Sequence, residues 1–438
     1  MKIKLLSILF AVILLTIVFS GCNEETIKSK TIYVDNTGNK DFTSIQDAID
    51  NTKDGDTVYV YSGTYYENIN INTSIQLIGE NNENTIIHGE GHHYSEVYCG
   101  VINVFVDKVS IKNFMIKSGE PDKYTWGIDD GIVINSNNNI IQNNYITETG
   151  EAIVLKKANY NLIKDNFIEG NRMCFIFEFS SNNTINNNTV SENVENRVHS
   201  SLNYNNKINH NKFTNSSLFI LGSYNQINNN YLTGTEINID IGDYNKVCNN
   251  ILENTRYHSI SIKGSKNFSI LDIDGSWQNL NKISQKNIID NNTINNASSS
   301  AIMLEFTNNN TISNNAINNA TYGIYMDLVR GNNIFNNELR NSQGTAIAII
   351  HHIEDTYTQM QNNYIFHNNF LENVNNGCDP DRFNTTWYNL TFLQGNYWDD
   401  YNGTDSNNDG IGDTPYMIKN YFGVENQDLY PLMKPFDI

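Results

Sequence analysis

A short phrase, Asn-x-Ile-x-x-Asn-x-Ile, recurs along most of this chain at intervals of about 20 residues. Its first clear copy starts at Asn139 and its last at Asn332. A repeat of this length is typical of a stacked array, in which one unit cannot bury its apolar face alone. The phrase is too short and too rich in β-branched residues for a helix, and its polar centre suits a bend. We therefore predict that each repeat forms one coil of a parallel β-helix.

Successive coils lie about 4.8 Å apart, the strand spacing of any sheet, so equivalent residues of the repeats form ladders. The apolar positions are expected to face the interior, with a column of stacked Asn side chains between them. Asn suits this column because it tolerates left-handed backbone geometry. The first apolar ladder comprises Ile141, Ile163, Ile185, Ile208, Ile227, Val247, Ile289, Ile312 and Ile334. The second comprises Ile146, Ile168, Val190, Phe213, Leu232, Leu252, Ile294, Ile317 and Leu339. The Asn column comprises Asn144, Asn166, Asn188, Asn211, Asn230, Asn250, Asn292, Asn315 and Asn337.

Breaks in the repeat predict excursions from the coils. A second strand precedes most copies of the phrase and opens with a small residue, as at Ala152 and Ala301. Residues 118–130 and 351–361 interrupt the period and are predicted to form long loops, which often carry function. Residues 265–285 lack the phrase but have the length of one repeat, so we expect one further coil there.

The N-terminus has the pattern of a secretory signal. Two lysines precede an apolar run from Leu5 to Phe19, and Ser-Gly-Cys follows, ending at Cys22. This is the pattern of a lipobox, so residues 1–22 are a lipoprotein signal peptide in this interpretation. We expect Cys22 to be lipidated and residues 23–30 to form a polar tether. The expected location is extracytoplasmic, at the cell surface or in the periplasm, with a membrane anchor.

The remaining chain divides into three parts of one all-β domain. Residues 43–46 have the spacing of a capping box and open a short helix with one apolar stripe. We expect this helix to plug the open end of the solenoid, where strand edges are unpaired. Residues 31–98 are assigned to the plug and first coils, 99–375 to the β-helix repeats and 376–438 to an Asp-rich cap. The predicted fold is a single right-handed parallel β-helix with a short N-terminal capping helix.

The charge balance limits the partners of this chain. Its formal net charge is −20, with only 28 Lys and Arg residues. Binding to nucleic acid needs clustered basic residues, so this function class is excluded. We expect a monomer whose partners are the membrane, through its anchor, and a polysaccharide or cell-surface protein.

Three features together resemble the NosD-like family of the pectin-lyase-like superfamily, often described as periplasmic copper-binding proteins. They are the N-terminal stretch DGDTVYVYSGTYYENI, the Asn-x-Ile repeats and the C-terminal stretch GNYWDDYNGTDSNNDGIGDTPY. The resemblance implies a surface or periplasmic β-helix and, by the family label, copper as a cofactor. The founding role of the family is maturation of the copper centre of nitrous-oxide reductase, although many relatives lack such a partner.

The cap contains a candidate calcium loop. Oxygen-bearing residues alternate along it, and Gly410 follows the third, as in the first half of an EF-hand loop. The usual glutamate at loop position 12 is replaced by Tyr416, which lowers the expected affinity. The alternative is an Asp/Gly-rich turn without an ion. The predicted ligands of a structural calcium ion are the side chains of Asp405, Asn407, Asp409 and Asp413 and the carbonyl of Ile411.

Histidine clusters offer a second, alternative metal site. Imidazole and thiolate ligands suit copper or zinc. A polar turn would instead leave these histidines exposed to solvent, which is the interpretation that we favour. The candidate donors are His88, His92, His93 and Cys99, with a smaller pair at His351 and His352.

The strand that precedes each phrase presents charged residues on its outer side. Glu305 and Asp327 fall on consecutive coils, about 5 Å apart if in register, a separation suited to glycoside hydrolysis. Tyr204, Tyr224 and Tyr244 recur near corners and could stack on sugar rings. An ordinary solvated sheet face would have the same appearance. The predicted row comprises the candidate catalytic carboxylates Glu178, Asp240, Glu305 and Asp327, with Lys156 and Lys263.

Known β-helix enzyme motifs are missing from the sequence. Asp129-Asp130-Gly131 is similar to the paired aspartates of polygalacturonases, but their His-Gly and Arg-Ile-Lys motifs are absent, as is the Arg-x-Pro-x-x-Arg of pectate lyases. Such residues supply proton transfer and substrate binding. We therefore expect a non-catalytic surface protein that binds glycans or proteins. The alternatives are a polysaccharide lyase or glycoside hydrolase, and a copper-site maturation factor.

Overall fold

The computed structural model describes residues 29–90, 99–118, 129–193, 197–271, 277–350, 362–379, 385–418 and 426–438. These residues wind into stacked coils of parallel strands, and the predicted all-β parallel β-helix is confirmed. The repeats pair in direct register, since Ile141 lies beside Ile163 and Ile163 beside Ile185.

Each coil contributes strands to three faces. The first face is a 14-stranded sheet, and the other two faces belong to one 25-stranded sheet. Two long strands, Thr293–Glu305 and Ala316–Asp327, turn the corner between the second and third faces. The first face consists of Thr31–Val34, Thr57–Val60, Gln76–Gly79, Ser110–Lys112, Ile140–Gln142, Leu162–Lys164, Thr184–Asn186, Lys207–Asn209, Gln226–Asn228, Lys246–Cys248, Ile288–Asp290, Thr311–Ser313, Asn333–Phe335 and Tyr364–Phe366. The second consists of Gly63–Tyr66, Thr85–His88, Met115–Lys117, Tyr145–Ile146, Phe167–Glu169, Thr189–Ser191, Lys212–Thr214, Tyr231–Thr233, Ile251–Glu253, Glu338–Arg340, Asn369–Leu371 and Tyr397–Trp398. The third consists of Ile69–Ile71, Gly100–Val104, Asp130–Ile134, Glu151–Lys156, Met173–Glu178, Arg197–Tyr204, Ser217–Ser223, Glu236–Asp240, Ile260–Lys263, Thr345–Ile350 and Asn375–Cys378.

The interior contains the predicted apolar ladders and two ladders of asparagine. Every member of both apolar ladders and of the predicted Asn column is buried. A second Asn column, which the sequence reading did not identify, stacks in the same way; for example, Asn139 Nδ2 donates to Asn161 Oδ1 at 2.9 Å. The second column comprises Asn139, Asn161, Asn183, Asn206, Asn225, Asn245, Asn287, Asn310, Asn332 and Asn363.

The expected extra coil over residues 265–285 is wrong. Val247 pairs directly with Ile289, so no coil is inserted between them on the first face. Ser265–Leu271 instead pairs antiparallel with Trp277–Lys282, and this hairpin leaves the solenoid. The segment lacks the Asn-x-Ile positions that fill the interior ladders, which is why it does not form a coil. A short parallel pair, Ser284–Gln285 with Thr307–Asn308, follows the hairpin.

The N-terminal plug is the helix Ile45–Asp50, whose apolar stripe is buried as predicted. Its N-cap is Ser44, whose Oγ accepts the amide of Asp47 at 3.2 Å. Glu67, from a neighbouring coil, accepts the amides of Ile45 and Gln46, both at 2.9 Å. Capping therefore comes from Ser44 and Glu67, and not from the predicted Thr43–Gln46 box.

Aromatic stacking closes the C-terminal end. Trp398 stacks on Phe370, with ring centroids 4.2 Å apart, and on Tyr416 at 4.1 Å. Its Nε1 donates to the buried carboxylate of Asp428 at 2.9 Å. The cap also contains the antiparallel strands Tyr416–Ile418 and Asn426–Asp428. None of the helical residues described here forms a helix long and apolar enough to cross a membrane.

Candidate functional site

Four charged residues on the outer side of the third face lie in one register row, which we call the carboxylate row. Asp240 pairs with Lys263, Lys263 with Glu305, and Glu305 with Asp327. Parallel strands in direct register place these side chains on successive coils. The structure therefore brings three of the four candidate carboxylates into a single line.

The N-terminal part of the predicted row is separate from it. Lys156 pairs with Glu178, and Glu178 pairs with Ser201 on the next coil. Leu221, on the coil before Asp240, is the residue that pairs with Asp240. The uncharged Ser201 and Leu221 thus separate Glu178 from the carboxylate row.

The carboxyl groups of the row have different environments. Glu305 Oε2 lies 3.3 Å from Lys263 Nζ, and both side chains are partly exposed. Burial raises the pKa of Asp240 to about 6, opposed by the charge of Lys263 and increased by that of Glu305. Asp327 is 7% exposed. The row therefore combines an ion-paired carboxylate with more enclosed carboxyl groups.

Three further polar residues adjoin the row, and sequence reasoning did not select them. Burial lowers the pKa of His258, helped by the charge of Lys263. Ser261 is fully buried, and its Oγ has no hydrogen-bond partner within the part of the chain that the structure describes. Burial also raises the pKa of Tyr325, with the charge of Asp327 adding to it. The alternation Ser-Ile-Ser-Ile-Lys that ends at Lys263 was the available signal, since it places Ser261 on the outer side.

A second group of buried charges, which we call the Asp130 cluster, lies where the N-terminal strands of the third face begin. Asp129 Oδ2 accepts from Asn68 Nδ2 at 2.9 Å, and Asp130 Oδ1 accepts the amide of Glu151 at 2.8 Å. The Glu151 carboxylate is paired with Arg172. Burial raises the pKa of Asp130 to about 8, opposed by Arg172 and increased by Asp129. These groups hydrogen-bond to their own surroundings, so we treat the cluster as structural.

Two of the three predicted platform tyrosines stack on each other. Tyr224 and Tyr244 stack with ring centroids 4.9 Å apart and planes 5° from parallel. On the following coil, Lys286 Nζ lies 5.1 Å from the Tyr244 ring centroid. Lys286 Nζ also donates to the Tyr244 hydroxyl at 2.9 Å, and Tyr244, Tyr224 and Tyr204 remain 39%, 52% and 48% exposed.

The described residues do not fit a copper centre. His88 Nδ1 lies 2.8 Å from the carbonyl oxygen of Gly89, and Cys99 is partly buried. Within the described ranges, no three His, Cys, Asp or Glu side chains are placed to hold a metal ion. We therefore derive no copper chemistry. The other predicted donors, His92, His93, His351 and His352, lie outside the described residues.

The candidate calcium loop is wound around Asp405. Its carboxylate accepts the amides of Asp409 at 3.2 Å and Gly410 at 2.9 Å. Asn407 Nδ2 donates to Asp409 Oδ2 at 2.8 Å. The structure thus gathers three of the five predicted ligands, and an added cation would compete with these hydrogen bonds for their oxygens.

The carboxylate of Asp413, another predicted calcium ligand, has other partners. Asp413 Oδ2 accepts from Ser406 Oγ at 2.7 Å and Thr404 Oγ1 at 3.0 Å, and these bonds lower the pKa of Asp413. The amide of Ile411 donates to Asp409 Oδ1 at 2.9 Å. Asp413 would have to turn toward Asp405 to complete a coordination sphere, so calcium binding stays a prediction. The predicted lipidation site, Cys22, lies outside the described residues.

Comparison with known proteins identifies the architecture. Residues 100–238 match the family model described as "Right handed beta helix region", and residues 257–403 match "Periplasmic copper-binding protein (NosD)". The chain is a right-handed parallel β-helix protein. The NosD-like resemblance is thereby confirmed over the segment that carries Lys263, Glu305 and Asp327.

Solved structures similar to this β-helix include the catalytic domain of a GH87 α-1,3-glucanase in complex with tetrasaccharides. The TM-score is 0.57 at 16% identity, covering 84% of this chain and 69% of the glucanase chain. The same catalytic domain in complex with nigerose gives a TM-score of 0.52 at 16% identity, with the same coverage of 84% and 69%. At this identity the likeness shows the fold alone. A search of curated protein sequences finds no significant match.

Proposed function

We propose that this β-helix binds an extracytoplasmic polysaccharide across its third face, at the carboxylate row, without cleaving it. The supporting observation is the alignment of Asp240, Lys263, Glu305 and Asp327 on successive coils. Coils repeat about every 4.8 Å, so polar groups recur along the face at a spacing suited to a repeating polymer.

The charge of the site favours a neutral or amino-bearing polysaccharide. The row contains three carboxyl groups and one lysine, and Lys263 is already paired with Glu305. A net charge of −20 also opposes the approach of a polyanion. A polyuronate would leave its carboxylates without cationic partners in this row.

An extracytoplasmic location is part of the proposal. Its support is the signal pattern of residues 1–22 and the family name matched by residues 257–403, which describes a periplasmic protein. A lipid on Cys22 would hold the β-helix at a membrane surface. Mass spectrometry of the chain from the membrane fraction should detect this lipid. The variant Cys22→Ser should appear in the soluble fraction instead.

Hydrolysis is the second candidate function, and the raised pKa of Asp240 favours it. A carboxyl group with a pKa of about 6 retains a proton under mildly acidic conditions and can act as a general acid. Glu305 lies two coils away, roughly 9–10 Å by strand spacing. This is near the upper end of the separation of about 6.5–9.5 Å in inverting glycosidases. Glu305, which is paired with Lys263, would act as the general base for water.

A polysaccharide array with the purified chain tests both candidates. It should record bound ligand and also released reducing ends or unsaturated products. We expect binding of a neutral polysaccharide, weakened by roughly tenfold in Glu305→Gln or Asp327→Asn. Glu372→Gln is the matched control, because Glu372 is an exposed carboxylate outside the row.

The outcomes separate the candidates. Reducing ends that disappear in Asp240→Asn and Glu305→Gln would replace the binding proposal with hydrolysis. Binding that is unchanged in the row variants would show that the ligand contacts another face. No binding to any polysaccharide would leave protein ligands as the remaining class and refute the proposal.

A further inference from the structure

The C-terminal cap carries an exposed apolar turn at residues 390–393, which we call the 390–393 turn. Leu390 is 57% exposed, Phe392 67% and Leu393 45%. The turn projects from an antiparallel bridge between Asn389 and Gln394. Scattered apolar residues are ordinary on a surface, but three large ones gathered at one tip indicate an interaction site.

Hydrogen bonds within the turn occupy three of its four backbone amides. Asn389 Oδ1 accepts the amides of Thr391 at 2.8 Å and Phe392 at 3.0 Å, and Leu393 N donates to Asn389 O at 2.9 Å. The amide of Asn389 donates to Gln394 O at 2.7 Å, which closes the base. An amide that is bonded internally loses little when water is removed, whereas an unsatisfied one costs several kcal/mol in lipid.

One residue of the turn has an unfavourable backbone conformation. Leu393 has a φ of +51°, in the left-handed region that bulky residues rarely adopt. An Asn or Gly at this position would relieve the strain, yet the sequence has a leucine there. Ile241 and Leu328 adopt the same conformation elsewhere in the chain, so it is a feature of tight corners in this fold and is not by itself evidence of a ligand.

The sequence on either side of the turn contains no charged residue. From Thr385 to Trp398 the sequence has no Asp, Glu, Lys, Arg or His, although 17% of the chain is charged. Behind the turn, Tyr388 packs edge-on against Tyr430 with ring centroids 5.0 Å apart. Tyrosines beside an apolar tip are typical of segments that lie at the interface between lipid and water.

We propose that the 390–393 turn inserts its apolar tip into the interfacial layer of a lipid bilayer. A protein partner is disfavoured because three side chains offer roughly 300 Å², whereas a stable interface needs about 800 Å² from each partner. Insertion into lipid has no such minimum area, and apolar side chains together with internally bonded amides favour it. The net charge of −20 opposes binding to an anionic membrane surface, so we expect zwitterionic lipid to be preferred.

This contact would give the protein a second attachment to the membrane. The predicted lipidation site, Cys22, precedes the first coil in the sequence, and the 390–393 turn belongs to the C-terminal cap. A second contact on the same chain strengthens attachment, because it becomes intramolecular once the first is made. The insertion itself is independent of polysaccharide binding and of the lipid.

Vesicle co-sedimentation tests the proposal. The chain from Asn23 onward, which lacks the lipid, is mixed with phosphatidylcholine vesicles, and then with vesicles that contain phosphatidylglycerol. We expect measurable binding to the first and weaker binding to the second. The variant Leu390→Ser/Phe392→Ser should lower the partition coefficient by roughly tenfold or more. Val374→Ser is the matched control, because Val374 is 65% exposed but lies outside the turn.

A depth measurement distinguishes insertion from loose adsorption. Phe392→Trp should be quenched by brominated phosphatidylcholine, whereas Val374→Trp should not. Circular dichroism and melting curves verify that each variant is folded. The proposal is overturned if the wild-type chain does not bind, if both tryptophans are quenched equally, or if the double serine variant binds like the wild type. A solution mass that falls from dimer to monomer in that variant would assign the turn to contact between two copies instead.

Discussion

The side-chain amide of Asn250 donates to Oδ1 of Asn292 at 3.0 Å, although 42 positions separate the two residues. The insertion that contains the hairpin of residues 265–282 lies between them. Asn292 Nδ2 in turn donates to Asn315 Oδ1 at 3.0 Å, over an ordinary separation of 23 positions. The Asn column therefore continues across the insertion without a break. The ladder, and not the length of each repeat, determines which coils are neighbours.

Asn292→Ala should destabilise the β-helix strongly. Asn292 is buried, its Oδ1 accepts both the amide and the side chain of Asn250, and its Nδ2 also donates to Val247 O at 2.8 Å. Alanine would leave several buried polar groups unsatisfied, so we expect a loss on the order of 3 kcal/mol in the free energy of unfolding. Urea denaturation followed by circular dichroism measures it.

The control for this prediction is Asn333→Ala. Asn333 lies on the outer side of the first face, and its side chain makes no hydrogen bond to any residue that the structure describes. We expect a change within about 0.5 kcal/mol. Equal losses in the two variants would show that the buried ladder has no special role.

Most of the fold was predictable because the repeat encodes it locally. Ile163 and Asn166 are buried in ladders since each coil repeats the same residue types at the same corner. The hairpin of residues 265–282 was not predictable, because length alone does not distinguish a coil from an excursion. Glu67 was also missed as a helix cap, since its partners Ile45 and Gln46 come from more than 20 positions away.

The candidate site was only partly predictable. Alternation along the strands placed Glu305 and Asp327 on the outer side, and parallel pairing made them neighbours. The enclosure of Asp240 and the position of His258 depend on how neighbouring coils and corners pack. No short sequence pattern encodes such packing, so the pKa differences within the row emerge only from the folded chain.

Glu67→Ala should loosen the N-terminal plug. Besides accepting the amides of Ile45 and Gln46, the Glu67 carboxylate accepts from Ser44 Oγ at 3.0 Å. Losing this cap should cost about 1–2 kcal/mol. Hydrogen exchange should accelerate in the helix Ile45–Asp50 while the central coils stay protected. Glu83→Ala, at an exposed turn, should leave the exchange unchanged; slow exchange in the helix of Glu67→Ala would contradict the capping role.

Chelation tests the candidate calcium loop. If Asp405, Asn407 and Asp409 hold an ion, EDTA should lower the melting temperature, and restoring calcium should recover it. Asp409→Ala should melt at one temperature with or without EDTA. Asp107→Ala, at an exposed corner outside the loop, should retain the response. If EDTA does not change the melting temperature of the wild type, the cap does not bind a stabilising calcium ion.

Asp130→Asn should stabilise the protein at pH 8 and have little effect at pH 4. Because burial raises the pKa of Asp130 to about 8, the folded chain holds a proton that the unfolded chain loses above about pH 4. The stability from this proton is complete below about pH 4 and is lost as the pH rises toward 8. Asparagine is neutral throughout and keeps an oxygen that can accept the amide of Glu151. We expect a gain on the order of 2 kcal/mol at pH 8, measured by denaturant titration across the range. Glu372→Gln, at an exposed carboxylate, controls for the general loss of negative charge. If the free energies of unfolding of Asp130→Asn and of the wild type change with pH in the same way, Asp130 is ionised in the folded chain. Arg172 must then balance its charge.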